Sequence, residues 1–416
     1  MVNYIPKHLA LVMTDRCNAT CRFCGHEKTG YQDLSNEDML NCIEQAHDLD
    51  MKRVLFSGGE PTLRYEDLLQ GIRYANSKGM ETQIVTNASY AIDEERGRQV
   101  AKEFEEAGLK WIVFSLDKDH QDYIPYISVL NATKGALSTN MNTRFKTHFR
   151  KSIVKDNFSL LLNLAKDLGG KHEFEGKGSV DGKITVGNKV LPVEQRYIVR
   201  SGEAKKIKKS EFRARYKIKD YERCCTEDMV VKTNGDITPC LGFEAFPYNF
   251  YVVGNVADTS LRTAAVRVNE SITDMMLSPY SFFRIKSFLE KSGNEKAKKM
   301  PNKRYSTFCE YCVGVFSKPD LKEQIVEEFN KFRRVKPEVM FEKDIGPARK
   351  AKVIVDGKEI NLSDYLGPLS YKDFYTKYCE HILNSLEDKK EKRAIRDKKL
   401  FEKQLKIVSE MENAEY

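Results

Sequence analysis

Short apolar segments alternate with amphipathic helical patterns over the first 120 residues. The apolar segments, which predict buried strands, are Leu9–Met13, Arg53–Phe56, Thr82–Val85 and Trp111–Leu116. The helical patterns between them are Ser35–Asp48, Tyr65–Ser77 and Asp93–Ala107. Because strand and helix recur about every 30 residues, the pattern predicts βα units that form a parallel sheet or barrel.

The alternation continues less regularly to about residue 200. A fifth strand is predicted at Phe145–Val154, its helix at Asn157–Leu168, a hairpin insertion at Val180–Lys189 and a sixth strand at Glu194–Arg200. The hairpin contains two dipeptides typical of turns, Asp181-Gly182 and Gly187-Asn188. We expect residues 1–220 to form this α/β domain.

The rest of the chain is predicted to form two further domains. The basic stretch 202–219 is interpreted as a solvated linker, and the alternative is a docking surface for an acidic substrate. Residues 221–320 contain a second group of cysteines. Residues 321–416 are charged and mostly helical in pattern, with one predicted hairpin at 353–360.

Distinctive polar residues directly follow each of the first four predicted strands. They are Thr14 to Cys17, Ser57 to Pro61, Thr86 with Asn87, and Ser115 with Asp117. In parallel sheets and barrels the carboxyl ends of the strands form the active site. We therefore expect four separate segments of the chain to meet in one cavity.

Composition and charge exclude several classes of protein. The chain has 416 residues, of which 41% are hydrophobic, and a formal net charge of +8. It has no apolar run of about 18 residues, which a membrane-spanning helix needs, and no secretory signal at its N-terminus. We expect a cytoplasmic protein without a membrane partner. Because the positive charge is mild and diffuse, no nucleic-acid partner is predicted.

Most of the ten cysteines fall into two groups, which indicates metal ligands in a reducing compartment. Cys17, Cys21 and Cys24 form C-x3-C-x2-C directly after the first predicted strand. Three thiolates can hold a four-iron cluster and leave one iron open for a cofactor. A zinc site is the alternative. Outside the groups, Cys42 and Cys379 are interpreted as ordinary buried thiols.

The segment CNATCRFC, with Phe23 before its last cysteine, resembles the signature of the radical S-adenosylmethionine (radical SAM) superfamily. SGGEP at 57–61 resembles the glycine-rich segment of the same family. The resemblance covers roughly residues 8–220 and implies a partial (β/α)6 barrel. It also implies a [4Fe–4S] cluster held by Cys17, Cys21 and Cys24, with S-adenosylmethionine (SAM) chelating the fourth iron.

The same resemblance implies residues that bind SAM. Phe23 would pack near the adenine, Gly58 and Gly59 would approach the methionyl end, and Glu60 would lie near the ammonium group. Polar positions that line the cofactor in relatives match Asn87, Ser115 and Asp117. The alternative interpretations are a tight turn for the glycines and strand-end caps for the polar residues. Arg144 and Arg150 are candidates for binding the SAM carboxylate.

The second cysteine group resembles the auxiliary-cluster extension called SPASM, or its one-cluster form, Twitch. Asn234-Gly235 predicts a hairpin turn in VVKTNGDITPC, and GNVADTSL at 254–261 resembles the segment that follows it. The expected ligands of one auxiliary [4Fe–4S] cluster are Cys225, Cys240, Cys309 and Cys312. Cys224 could replace Cys225, and a structural zinc site of these cysteines is the alternative.

The resemblance implies reductive cleavage of SAM to a 5′-deoxyadenosyl radical that abstracts a hydrogen from the substrate. With an auxiliary cluster as electron acceptor, we expect oxidation or cross-linking of a peptide or protein, with flavodoxin or ferredoxin as electron donor. Because the predicted barrel starts near residue 8, no domain for binding a leader peptide is expected before it. The alternatives are a small-molecule dehydrogenase acting on a sugar or cyclitol, and a zinc-stapled binding protein without catalysis.

Overall fold

A computed structural model describes the protein. The described residues are 6–25, 32–175, 179–212, 228–240 and 252–269, with short pieces at 289, 295–300, 303, 305, 309–311, 314, 352–355 and 358–361. The chain divides into two compact units, one of which is Asn3–Leu321 and the other Met1–Val2 with Lys322–Tyr416.

The first unit contains an eleven-stranded sheet. Its strands are β1 (His8–Val12), β2 (Arg53–Ser57), β3 (Glu81–Thr86), β4 (Trp111–Ser115), β5 (Asn142–Phe149), β6 (Lys171–Phe174), β7 (Gly182–Val186), β8 (Lys189–Tyr197), β9 (Asp228–Val231), β10 (Asp236–Thr238) and β11 (Gly254–Asn255). The spatial order is β11-β10-β9-β1-β2-β3-β4-β5-β8-β7-β6. Strands from β9 to β8 in this order run parallel, and the strands at both edges are antiparallel. The predicted α/β class with a parallel sheet is confirmed.

Helices follow most of the parallel strands, and two further helices follow β11. They are α1 (Asn36–Asp48), α2 (Tyr65–Ser77), α3 (Glu94–Ala107), α4 (Lys118–Gln121), α5 (Tyr126–Leu137), α6 (Val154–Asp167), α7 (Leu261–Asn269) and α8 (Glu295–Lys299). Short 3-10 turns lie at Pro61–Arg64, Lys151–Ile153, Gly202–Lys206 and Lys209–Glu211. The Ser35 side chain accepts a hydrogen bond from the Asp38 backbone, which satisfies one of the unpaired N–H groups at the start of α1.

Alternating strand residues separate the two faces of the sheet. Leu9, Leu11 and Phe56 belong to the large core that includes the buried side chains of the helices. Ala10 and Leu55, which alternate with them, belong to a smaller cluster. This alternation follows from the two-residue period of a strand. The larger cluster packs the helices against one face of the sheet. The polar residues after the strands lie outside this cluster, where they can form a site.

Strand β5 and helix α5 differ from the prediction. The fifth strand ends at Phe149 rather than 154, because a 3-10 turn and α6 start there. Helix α5 has no predicted counterpart, since its residues from 128 to 136 are buried except Lys134 and so lack the polar face that marks an amphipathic helix.

The predicted hairpin at Val180–Lys189 is longer in the structure. Strands β7 and β8 join at Gly187-Asn188, as expected, and β8 is the sixth parallel strand. The other turn signal, Asp181-Gly182, does not form a hairpin turn: Gly182 starts β7, which pairs with β6. The insertion is therefore a three-stranded edge that shares β8 with the parallel sheet.

In the second unit, β12 (Lys352–Val355) pairs antiparallel with β13 (Lys358–Asn361). This confirms the predicted hairpin at 353–360. The rest of 321–416, with its predicted helices, lies outside the described residues. The three domain boundaries stay predictions.

Candidate functional site

The cysteine loop, residues 17–24, follows β1 at the carboxyl edge of the sheet. Cys21 is buried, whereas Cys17 and Cys24 are half-buried. The N–H of Ala19 donates to the Sγ of Cys17 at 3.4 Å, and the N–H of Cys24 donates to the Cys21 carbonyl at 3.0 Å. These short-range bonds make the loop compact.

The segment Ser57–Pro61, after β2, is bonded to the chain that enters the cysteine loop. The N–H of Gly59 donates to the Thr14 carbonyl at 2.6 Å, and the N–H of Glu60 donates to the Arg16 carbonyl at 2.8 Å. Because Arg16 directly precedes Cys17, these bonds fix the start of the cysteine loop against the end of β2.

Gly58 and Gly59 both lie against protein backbone. At Gly58, φ is +146° and a Cβ would lie 2.6 Å from the Thr14 carbonyl oxygen. A Cβ at Gly59 would overlap the Arg16 carbonyl. Packing against the entrance of the cysteine loop therefore requires both glycines. The sequence reasoning missed this contact, and their approach to SAM stays a prediction.

Glu60 joins the ends of β2 and β3. Its carboxylate is buried and accepts hydrogen bonds from the N–H and hydroxyl of Thr62 at 3.1 and 2.6 Å, from the Thr86 hydroxyl at 2.8 Å and from the Asn87 N–H at 2.8 Å. Burial raises the pKa of Glu60, and these bonds oppose that increase. Four donors on one carboxylate hold it in a fixed position, and its contact with the SAM ammonium group stays a prediction.

Asn87, at the end of β3, bonds directly to the cysteine loop. Its side-chain N–H donates to Oδ1 of Asn18 at 2.8 Å, while its own Oδ1 accepts from the Ser89 N–H at 3.0 Å. Asn18 lies between Cys17 and Cys21, so this bond connects a second strand end to the loop. Asn87 is therefore a support of the loop as well as a predicted SAM contact, and no sequence pattern indicated the role of Asn18.

Beyond β4, Asp117 lies between His120 and His148, two histidines whose spacing in the sequence predicts no metal site. Its Oδ2 accepts from Nδ1 of His120 at 3.0 Å and from Nδ1 of His148 at 3.1 Å. Backbone N–H groups of both histidines also donate to it, at 3.0 and 3.1 Å. Ser115 is buried at the end of β4. The carboxylate thus joins the strand ends of β4 and β5.

The charges in this cluster oppose the effect of burial. Burial raises the pKa of Asp117, but the charge and hydrogen bonds of His120 and His148 lower it well below its usual range. Burial lowers the pKa of His120, yet Asp117 and a hydrogen bond with Cys21 raise it above its usual value. For His148, burial outweighs Asp117 and lowers the pKa. These three groups therefore favour the ionised form of Asp117 and the protonated form of His120, and they disfavour protonation of His148.

Phe23 packs on both imidazoles. Its ring is stacked on His148 with centroids 3.8 Å apart and meets His120 edge-on at 5.0 Å. Phe23 and Cys21 belong to one apolar cluster. The aromatic residue of the cysteine loop is thereby held against the ends of β4 and β5, and its contact with adenine stays a prediction.

The cover segment, residues 201–212, packs on the cysteine loop. The N–H of Glu203 donates to the Cys24 carbonyl at 3.0 Å. Ala204, Ile207 and Phe212 are buried in the same apolar cluster as Phe23. The interpretation of 202–219 as a solvated linker is wrong for residues 202–212. The sequence obscured this contact because only three apolar side chains alternate with many cations.

The two candidate arginines are engaged in ion pairs. Arg150 forms two bonds to the buried Asp119, at 3.0 and 2.5 Å. Arg144 pairs with Glu194 at 2.5 Å, and its guanidinium lies over the Trp111 ring. Both guanidinium groups therefore have a partner in the protein. A contact of either one with the SAM carboxylate stays a prediction.

The predicted hairpin of the second cysteine group is confirmed as β9–β10, with Gly235 at φ +82° in its turn. Strand β9 pairs with β1, and the Thr233 hydroxyl donates to Oδ1 of Asp15 at 3.1 Å. The hairpin therefore adjoins the start of the cysteine loop. Cys240, which follows β10, is buried.

The other cysteines of this group are only partly described. Cys309 is half-buried. Cys224, Cys225 and Cys312 lie outside the described residues, so the auxiliary ligand set stays a prediction.

The cysteine loop fits an iron–sulfur cluster in its donor chemistry. It has three thiols within eight residues, and the N–H of Ala19 donates to the sulfur of Cys17. Apolar side chains of the cover segment pack around it. Soft thiolate donors suit iron–sulfur clusters. The buried polar side chains of Asn87, Ser115 and Asp117 lie on the same edge of the sheet, as a polar cofactor beside the cluster requires.

Residues 11–146 match the Radical SAM superfamily. Three curated relatives are similar to part of the chain. GTP 3′,8-cyclase of Campylobacter lari is 30% identical over 178 residues, which are 38% of this chain and 52% of the relative. Fe-coproporphyrin III synthase of Methanosarcina barkeri is 38% identical over 108 residues, 25% of this chain and 26% of the relative. PqqA peptide cyclase of Rhodopseudomonas palustris is 32% identical over 87 residues, 20% of this chain and 23% of the relative.

The chain spans about half the length, or less, of these curated relatives. Their names refer to a nucleotide, a porphyrin and a peptide, so similarity of this extent does not identify one substrate class. Among the described residues, no helix is long and apolar enough to cross a membrane.

Proposed function

Since residues 11–146 form a radical SAM domain, we propose that the protein is a radical SAM enzyme with a [4Fe–4S] cluster bound by Cys17, Cys21 and Cys24. The observation that carries this proposal is the attachment of the cysteine loop to the ends of β2 and β3, through the Ser57–Pro61 segment and Asn87. Such attachment holds three thiols in a fixed arrangement, as a cluster with an open iron requires.

When bound, the cluster and SAM would supply reductive cleavage of the C5′–S bond and hydrogen abstraction from an unactivated substrate carbon. The residues of this chain position and shield that chemistry. Phe23, Ile207 and Phe212 surround the loop with apolar surface that excludes water. Gly58, Gly59, Glu60, Asn87, Ser115 and Asp117 are our proposed SAM contacts, and their common position after β2, β3 and β4 supports this assignment.

We further propose one auxiliary [4Fe–4S] cluster with Cys225, Cys240, Cys309 and Cys312 as ligands. The β9–β10 hairpin supports it, because its pairing with β1 brings the chain that contains Cys240 to the strand before the first cysteine loop. A cluster with four thiolates has no open iron, so its role would be to accept the electron left on the substrate.

The proposed reaction is oxidation or cross-linking of a peptide, with flavodoxin or ferredoxin as electron donor. Similarity to PqqA peptide cyclase supports a peptide substrate. Similarity to GTP 3′,8-cyclase and Fe-coproporphyrin III synthase supports a small-molecule substrate as the second candidate.

The test replaces Cys17, Cys21 and Cys24 by alanine together. With two clusters in the wild type, the variant should lose about half of its iron and all 5′-deoxyadenosine formation under strong reductant. Cys42→Ala is the control, because Cys42 is buried on α1 outside both groups. If the triple variant still cleaves SAM, or if the wild-type protein is colourless and binds zinc, the proposal is wrong.

A further inference from the structure

A cavity of about 400 Å³ lies beside the cysteine loop. Its charged lining residues are Arg22, Arg150, Lys206, Lys208, Glu203 and Glu211, and the buried Ile207 also contributes. Arg22 belongs to the cysteine loop, Arg150 follows β5, and the others come from the cover segment. Three separate parts of the chain thus form one cavity with four cations and two carboxylates.

Two of the four cations are neutralised by neighbours. Arg150 is bonded to Asp119, and the Nζ of Lys206 lies 2.6 Å from a carboxylate oxygen of Glu203. Glu211 accepts hydrogen bonds from the N–H and hydroxyl of Ser152, at 3.0 and 2.6 Å. Each of these groups already has a partner in the protein.

Arg22 and Lys208 differ from the other two cations. Both side chains are exposed, and within the described part of the chain neither forms a hydrogen bond or an ion pair. They approach the cavity from opposite segments, the cysteine loop and the cover segment. A cavity lined by two cations without partners among the described residues attracts anions.

We propose that this cavity, named here the anion pocket, binds the carboxylate side chains of an acidic peptide substrate. The proposal rests on the proposed function and names its substrate class. Arg22 can bind a carboxylate with two parallel hydrogen bonds, and Lys208 adds a second cation to the lining of the cavity. Because Arg22 and Lys208 are single charges on two separate segments, they match carboxylates that are spaced along a peptide chain.

The position of Arg22 gives this binding a consequence for the reaction. Arg22 lies between Cys21 and Phe23, so an acidic side chain bound to it holds the rest of the peptide next to the cysteine loop. Fixing a substrate beside the reacting group removes much of the entropy cost of the reaction.

The test measures the dissociation constant of a fluorescent peptide with four glutamates, with a matched four-glutamine peptide as the probe control. Arg22→Gln and Lys208→Gln should each weaken binding of the acidic peptide about fivefold, and the double variant more than tenfold. Lys209→Gln is the matched variant, since it removes the same charge from the adjacent exposed residue, which does not line the cavity. Lys209→Gln should leave the dissociation constant of the acidic peptide unchanged. The four-glutamine peptide should not bind.

Several results would overturn the proposal. They are absence of binding to the wild type, an equal loss in Lys209→Gln, and binding of the four-glutamine peptide as tight as that of the four-glutamate peptide. SAM affinity of the double variant should equal that of the wild type, and a parallel loss would assign the cavity to the cofactor and overturn the peptide assignment. Failure of the proposed function would be distinct, since the wild type would then bind the peptide in this pattern but neither bind nor cleave SAM.

Discussion

Gly202 determines how closely the cover segment packs on the cysteine loop. Its φ is +47°, and a Cβ there would lie 2.7 Å from the Cys24 carbonyl oxygen and 2.8 Å from that of Gly25. Real Cβ atoms do not approach so closely, so Gly202→Ala must shift one of the two segments. The left-handed backbone costs an alanine roughly 1 kcal/mol, and overpacking against backbone adds about 1–3 kcal/mol.

Gly187→Ala separates these two effects. Gly187 has a φ of +57° in the β7–β8 turn, and a Cβ there meets nothing within 4 Å. The control variant should therefore lose only the backbone contribution of roughly 1 kcal/mol. The difference between the two variants measures the contact between the cover segment and the cysteine loop.

The assay compares iron release to a chelator under anaerobic conditions, together with thermal unfolding of both variants. Because the strained contact should favour local opening of the cover segment, Gly202→Ala should release iron several-fold faster even where the unfolding temperature falls only modestly. Gly187→Ala should release iron at the wild-type rate. Equal rates in the two variants would refute the claim that residues 201–212 shield the cysteine loop.

Three further predictions concern other parts of the site. Gly59→Val should lower SAM affinity and also iron content, because the new side chain overlaps the Arg16 carbonyl; an unchanged SAM dissociation constant would contradict this. Asp117→Asn should lower the free energy of unfolding by roughly 3 kcal/mol near pH 7. Because the folded-state pKa of Asp117 is depressed, its contribution is present above about pH 4 and is lost as the pH falls further, so urea titrations of wild type and variant should converge in acid. Cys309→Ala with Cys312→Ala should lose close to half of the iron and all product but keep forming 5′-deoxyadenosine, and full product formation would exclude an electron-accepting cluster there.

Local sequence patterns were sufficient to predict the first four strands and the three helices between them. Each strand is a short run of buried residues, and Ser35 and Gly108 mark the start of α1 and the end of α3 with the capping geometry found in the structure. The cysteine loop and the Ser57–Pro61 segment were recognisable because their chemistry lies in consecutive residues.

The Asp117–His120–His148 cluster could not be predicted from local pattern. His148 lies about 30 residues beyond Asp117, and only the pairing of β4 with β5 brings them together. A single histidine in a sequence carries no spacing that would identify its partner. The cover segment was missed for a different reason, since its short 3-10 turns bury only three apolar residues among many cations.

The family match and the anion pocket lie mostly in different parts of the sequence. The match ends at residue 146, and it includes the cysteine loop, the Ser57–Pro61 segment and Asn87. Most of the pocket lies beyond it, since Arg150 and the cover segment follow that boundary and only Arg22 precedes it. Residues that support the cofactor can therefore be shared with relatives whose names indicate a nucleotide, a porphyrin or a peptide, while the charges that would select a substrate belong to a different part of the chain. On this argument the substrate class must be established from the pocket, and similarity in residues 11–146 cannot replace that measurement.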